Sequence, residues 1–230
     1  MTASFDGNPP GLSAFDAMTA SPLTTVDGVL LHGHDEVPDS LLAVAERWRH
    51  HHGLVLARPA APLLSDEAGV GRAWWKADEE GPHAQTVTEL LDLLSPAQSP
   101  AQSPALSPAR PVLIAGFSQG AALAAALAAA AVRERGMRRL RVVLVAGFVP
   151  EPLDVPAAPE SADLRMLVIS GDDDSVVDPF HGELLARRFR RRGWTVAERN
   201  HPGGHQWDDV VTDLVSGWLT DQAQPGHRTS

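Results

Sequence analysis

The chain has 230 residues and no cysteine, which excludes disulfide bonds, cysteine nucleophiles and thiolate metal sites. It is also poor in positive charge. The 19 Lys and Arg residues against 29 Asp and Glu give a formal net charge of −10. This balance argues against a nucleic-acid partner and against strong attraction to anionic membranes.

Long apolar segments are lacking as well. No apolar run approaches the roughly 20 residues that cross a bilayer. Residues 1–22 lack the basic start and apolar core of a signal peptide. We therefore expect a cytoplasmic protein without stable membrane insertion. A homodimer is compatible with the sequence, which does not itself indicate an oligomeric state.

The composition suits one α/β domain, which we assign to residues 26–220. Residues 1–25 are rich in Pro, Gly, Ser and Thr and are interpreted as an extension with little structure or one edge strand. Residues 221–230 are interpreted as a flexible tail. Residues 95–110 are four tandem Ser-Pro-Ala-x repeats, in which a proline at every fourth position excludes a helix. We favour a tolerant surface loop over a ligand for a proline-recognising partner.

Short apolar runs alternate with helical stretches along the domain. Strands are predicted at 26–31, 54–57, 112–116, 142–146, 166–170 and 195–198. Helices are predicted near 38–52, 83–94, 119–135, 180–192 and 207–219. Apolar strands that are each followed by a helix indicate a mostly parallel sheet covered by helices on both faces.

The segment Gly116-Phe117-Ser118-Gln119-Gly120 joins an apolar strand to an alanine-rich helix. A Gly-x-Ser-x-Gly turn in this context is typical of a nucleophile elbow, which exposes a serine hydroxyl at the end of a strand. Because a serine needs a base to take its proton and a carboxylate to orient that base, Ser118 predicts an acid and a histidine further along the chain.

Both groups follow in the order Ser, acid, His. Four aspartates, Asp172, Asp173, Asp174 and Asp178, follow the predicted strand 166–170. Asp178 precedes a proline and a helix, so it is interpreted as an N-cap. Of the other three, Asp174 lies farthest into the loop, just before the apolar pair Val176-Val177, and only this position favours it as the catalytic acid.

Two histidines compete for the role of base. His205 follows two glycines and opens the last helix, whereas His201 lies closer to the strand. A metal site on this pair is disfavoured, because Pro202-Gly203-Gly204 breaks the helix that the pair would need.

Two backbone amides are expected to bind the oxyanion of the tetrahedral intermediate. One belongs to Gln119, which follows the nucleophile, and the other to His34, in the glycine turn after the first strand.

These segments resemble the phospholipase/carboxylesterase family of α/β-hydrolases, which includes acyl-protein thioesterases. The resemblance covers nearly all of residues 26–220. The motifs that carry it are Leu30-Leu31-His32-Gly33, Pro59-Ala60-Ala61-Pro62 with Trp74-Trp75, Gly116 to Ala121, Gly147-Phe148-Val149-Pro150, Gly171-Asp172-x-Asp174-x-x-Val177 and Gly204-His205.

The resemblance implies an α/β-hydrolase fold without a large cap domain and a catalytic triad of Ser118, Asp174 and His205. Trp74 and Trp75 can line an acyl pocket or pack in the core, and the resemblance favours the pocket for Trp75. The other substrate-binding residues that it implies are Phe117, Phe148 and Val177.

The implied activity is that of a cofactor-free, metal-free serine hydrolase on small or lipid-like carboxylic esters or thioesters. Alternatives are an amidase or peptidase on the same triad and a non-catalytic ligand-binding α/β-hydrolase. The chain departs from the family at Asp35, where the Leu-His-Gly-x-Gly turn has its second glycine, and at Ala146, which replaces a serine.

Overall fold

A computed structural model describes residues 26–65, 69–94 and 110–223. The segment 1–25, most of the 95–110 repeat and the end of the tail lie outside the described residues, so these three interpretations stay predictions.

In the described part of the chain, six parallel strands form the central sheet, in the spatial order β2-β1-β5-β6-β7-β8. The strands are β1 (Gly28–Leu31), β2 (Leu56–Ala57), β5 (Val112–Phe117), β6 (Arg139–Val145), β7 (Asp163–Gly171) and β8 (Thr195–His201). Since all six strands run in one direction, their carboxyl ends meet at one edge, where ligands bind in open sheets of this kind.

Within the described residues, five α-helices connect or follow these strands. They are α1 (Leu42–His52), α2 (Ala84–Leu94), α3 (Gln119–Arg135), α4 (Phe180–Arg190) and α5 (Asp209–Ala223). None of the helices within the described residues is both long and apolar enough to cross a membrane.

The helices cover both faces of the sheet. On one face, α2, α3 and α4 form a core with Ile114 and Val142. On the other face, α1 and α5 pack against Leu113 and Val143. Because neighbouring residues of a strand point to opposite faces, a continuous apolar run supplies both cores. The predicted α/β-hydrolase architecture is confirmed, and the described residues form no large cap domain.

Apart from shifts of a few residues at the ends of elements, the structure differs from the sequence prediction at two places. A two-stranded antiparallel hairpin of β3 (Leu63–Leu64) and β4 (Arg72–Ala73) was not predicted, because strands of two residues carry no periodicity. The stretch predicted as a helix from residue 38 begins with a 3-10 turn at Pro38–Leu41, and α1 follows it.

Candidate active site

Ser118 lies between the last residue of β5 and the first of α3. Its φ of 53° and ψ of −119° are unusual for a residue with a side chain. Its N–H donates a 2.9 Å hydrogen bond to the carbonyl of Val145 at the end of the neighbouring strand. The sharp turn predicted from the glycine motif is therefore present, and it is held by the sheet itself.

The two glycines of the motif stand where backbones approach closely. A Cβ on Gly116 would lie 2.2 Å from the carbonyl oxygen of Gly120, and one on Gly120 would lie 2.3 Å from that of Leu31. Real Cβ atoms essentially never come this close to other atoms. Glycine at both positions therefore lets α3 begin directly beside β1.

His205 lies in the loop between β8 and α5 and contacts both of its expected partners. Its Nε2 is 2.9 Å from the Ser118 Oγ, and its Nδ1 is 2.8 Å from the Asp174 Oδ2. An ionised carboxylate only accepts hydrogen bonds, so Nδ1 carries a proton and donates a hydrogen bond to Asp174. Nε2 is then free to accept the hydroxyl proton of Ser118.

The carboxylate of Asp174 is buried, with 1% of its side chain exposed. Burial acts to raise its pKa, but hydrogen bonds from the Val177 N–H, from His205 and from the Val176 N–H outweigh burial and lower the pKa overall. The backbone bonds are 2.8 Å from Val177 and 2.9 Å from Val176, both to Oδ1. Asp174 is therefore held in its ionised form with Oδ2 directed at His205.

The rival candidates have other partners. Asp172 accepts a hydrogen bond from the Asn200 side chain, and Asp178 accepts one from the Phe180 N–H at the start of α4. His201 is buried and accepts a hydrogen bond at Nδ1 from the Gly203 N–H. The structure thus brings Ser118, His205 and Asp174 together, and it directs Asp172, Asp178 and His201 elsewhere.

The loop after β1 lies beside this group. Gly33 donates its N–H to Glu36 Oε2 at 2.7 Å. Asp35 adopts a left-handed φ of 62°, its N–H donates to the Arg72 carbonyl, and its carboxylate accepts from the Ser65 hydroxyl at 2.6 Å. Within the described part of the chain, the amides of His34 and Gln119 have no hydrogen-bond acceptor, so both can donate to a ligand.

The residues expected around a substrate differ in exposure. Trp75 is 2% exposed, and its ring packs edge-on against Phe148 with centroids 6.1 Å apart. Phe117 is buried with its ring 5.0 Å from that of His205. Phe148 and Val177 are half-buried. Trp75 therefore belongs to the core as much as to any pocket wall.

Glu36 was not predicted for this site from the sequence. It is half-buried, and burial, opposed by its bond from Gly33 and by the charge of His205, raises its pKa. A carboxylate three residues after a glycine turn is the only sequence signal that could have indicated it, because an acceptor at this spacing can bond back to the backbone.

A family model described as serine hydrolase (FSH1) matches residues 24–207. No curated protein is similar to the chain at a significant level. Solved structures with a similar fold include Arabidopsis thaliana SOBER1 (19% identity, covering 85% of this chain and 98% of that chain, TM-score 0.63). Two further similar structures are the Bacillus cereus carboxylesterase (19%, 86% and 89%, TM-score 0.62) and Zea mays acyl-protein thioesterase 2 (22%, 89% and 97%, TM-score 0.59). These neighbours confirm the predicted α/β-hydrolase fold.

Proposed function

The chain belongs to the FSH1 family of serine hydrolases, and we propose that it hydrolyses carboxylic esters or thioesters through an acyl-enzyme on Ser118. The proposal rests on one observation: hydrogen-bond contacts of 2.9 and 2.8 Å connect the Ser118 Oγ through His205 to Asp174. These are the distances at which a base can take a hydroxyl proton.

The first half of the proposed reaction forms the acyl-enzyme. His205 Nε2 takes the hydroxyl proton while the Ser118 Oγ bonds to the carbonyl carbon of the substrate. The carbonyl oxygen becomes an oxyanion, which the amides of His34 and Gln119 bind. His205 then donates its proton to the leaving alcohol or thiol as the bond to the acyl carbon breaks.

The second half releases the acid. A water molecule gives a proton to His205 and its oxygen bonds to the acyl carbon. His205 then returns that proton to the Ser118 Oγ as the bond between Oγ and the acyl carbon breaks and the carboxylic acid leaves. Asp174 stays ionised throughout and stabilises the imidazolium that forms twice in each cycle. The proposed steps use no metal and no cofactor.

The surroundings of Ser118 support a substrate with an apolar acyl group. Phe117 precedes the serine, and its ring lies 5.0 Å from that of His205. Phe148 and Val177 are half-buried apolar residues, and Trp75 packs against Phe148 from the core; we assign these residues to the acyl site. The substrate class we propose is a small or lipid-like acyl ester or thioester. The cytoplasmic location and a homodimer stay predictions.

The test is hydrolysis of p-nitrophenyl esters from acetate to palmitate by the wild type and Ser118→Ala in parallel. We expect activity that disappears in the variant, with the chain-length optimum reporting the size of the acyl site. A fluorophosphonate probe should label Ser118 in the wild type only. A folded wild type that neither hydrolyses any ester nor reacts with the probe would contradict the proposal and favour a binding role.

A further inference from the structure

The two amides assigned to the oxyanion come from segments far apart in sequence, the loop after β1 and the start of α3. Their separation must suit one oxygen atom, because an oxyanion donor acts at about 2.7–3.1 Å from that oxygen. A buried set of hydrogen bonds through Trp74 links these two segments.

The first link is the side chain of Gln119. Its Oε1 accepts the Trp74 N–H and its Nε2 donates to the Trp75 carbonyl, both at 2.9 Å. The residue is 4% exposed, and each polar atom of the amide has a backbone partner. Gln119 therefore offers its own backbone N–H to the ligand while its side chain fixes the Trp74-Trp75 backbone.

The second link is the indole of Trp74. Its Nε1 donates a 2.8 Å hydrogen bond to the carbonyl of His32, two residues before His34. The ring is fully buried and lies 5.1 Å from the His32 imidazole. Trp74 thus connects the side chain of Gln119 with the loop after β1, which we call the oxyanion loop.

The third link fixes His32 itself. Its Nδ1 donates to the Gly33 carbonyl at 2.8 Å and its Nε2 accepts the Ala61 N–H at 3.2 Å. Burial lowers the pKa of His32, and the charge of Arg72 lowers it further, against the bond to Gly33 that raises it. A neutral ring that is protonated at Nδ1 makes both contacts, so one tautomer of His32 holds the loop through two hydrogen bonds.

We propose that Trp74 and the side chain of Gln119 are positioning residues that set the separation of the two oxyanion donors. This inference rests on the function proposed above. Neither side chain needs to touch substrate, because each acts on a backbone amide. The expected effect therefore falls on the transition state, where the oxyanion exists, and leaves substrate binding nearly unchanged.

The central variant is Trp74→Phe, which removes the indole N–H and keeps most of the aromatic volume. Losing a whole oxyanion donor lowers kcat about 10²–10³-fold. A misplaced donor should cost less, and we expect kcat to fall about 10-fold or more with KM within about twofold. Gln119→Leu, which keeps the backbone N–H, should have the same effect.

The matched control is Trp194→Phe. Trp194 is also buried, and its Nε1 donates to the carbonyl of Pro156. It precedes β8, at the sheet edge opposite Ser118. The control variant loses an indole-to-carbonyl hydrogen bond too, although a longer one of 3.4 Å, and the same part of a buried indole ring. Its kcat should stay near that of the wild type while its thermal midpoint reports the structural cost.

The inhibition constant of a trifluoromethyl ketone distinguishes a positioning role from a merely structural one. The Ser118 Oγ adds to its carbonyl, and the adduct carries an oxyanion in the same position. Its inhibition constant should rise in Trp74→Phe by the factor that kcat/KM falls. Wild-type kcat in Trp74→Phe, or a loss that Trp194→Phe shares, would overturn the inference.

The rate of fluorophosphonate labelling separates this inference from the proposed function. Labelling of Ser118 at equal rates in the wild type and Trp74→Phe overturns the inference alone. A slower rate in Trp74→Phe supports it even if no tested ester is a substrate. A wild type that neither labels nor hydrolyses esters overturns the proposed function and the inference with it.

Discussion

The carboxylate of Glu36 accepts a 2.7 Å hydrogen bond from the backbone N–H of Gly33, so an acidic side chain lies against the loop that is expected to bind an oxyanion. Burial is the largest influence on this carboxyl group and raises its pKa. The folded protein therefore holds a proton on Glu36 more tightly than the unfolded chain does.

The sign of the pH effect follows from linkage. With a raised folded pKa, the stability that Glu36 contributes is fully present below its unfolded pKa of about 4.3 and is lost as the pH rises through the folded value. Glu36→Gln keeps an acceptor for Gly33 without the charge. We expect a higher thermal midpoint than the wild type at pH 8 and no difference near pH 4. The exposed Glu46→Gln is the control, and an equal shift there would contradict this account.

We expect the backbone conformation of Asp35 to lower the stability of the folded protein by a measurable amount. Its φ of 62° is a left-handed conformation that costs a residue with a Cβ about 1–2 kcal/mol. Asp35→Ala and Asp35→Gly both remove the contact to Ser65 and differ in the Cβ. We expect Asp35→Gly to be about 1 kcal/mol more stable than Asp35→Ala in urea unfolding. Equal stabilities would mean that this turn carries no strain.

Gly120 should tolerate no side chain. A Cβ there would lie 2.3 Å from the Leu31 carbonyl oxygen and 2.4 Å from that of His32, which are backbone atoms that cannot move aside independently. Gly120→Ala should therefore separate α3 from the oxyanion loop and abolish most ester hydrolysis. Gly217→Ala in α5, where a Cβ meets nothing within 4 Å, should stabilise the protein by up to about 1 kcal/mol and keep full activity.

Asp174→Asn tests how His205 is oriented. The amide can donate to Nδ1, which favours the wrong tautomer, so we expect kcat to fall about 10³–10⁴-fold. The control is Asp173→Asn, which changes an exposed neighbour in the same loop and should keep activity. The pKa of Asp174 is lower in the folded protein than in the unfolded chain. The stability that its ionised carboxylate contributes should therefore be present above the unfolded pKa of about 3.9 and be lost only as the pH falls below that value.

The sequence predicted the fold from local patterns. Helix α3 has the predicted limits of 119 and 135, because the elbow and Gly136 delimit an uninterrupted alanine-rich run. Strand β7 extends to Asp163–Gly171 beyond its apolar centre, since parallel neighbours on both sides recruit its polar ends into the ladder.

The site was predicted less completely. The Gly-x-Ser-x-Gly motif between a strand and a helix indicated Ser118, and the order Ser, acid, His indicated the two loops that follow. The family resemblance was needed to choose Asp174 and His205 among rivals. The contacts of Trp74 with Gln119 and His32 could not be predicted, because no pattern in sequence relates hydrogen-bond partners more than forty residues apart. The catalytic and binding roles themselves remain predictions for the experiments above.

Helix α3 has a further consequence for inactivation. Thirteen of its 17 residues are buried, many of them alanines, so water reaches the backbone before its last turn only when the layers around it separate. Such an element exchanges its amide hydrogens with solvent mainly through global opening. On heating, the sharp turn that exposes Ser118 should persist until the domain unfolds. Loss of activity and loss of the fold should therefore occur at the same temperature.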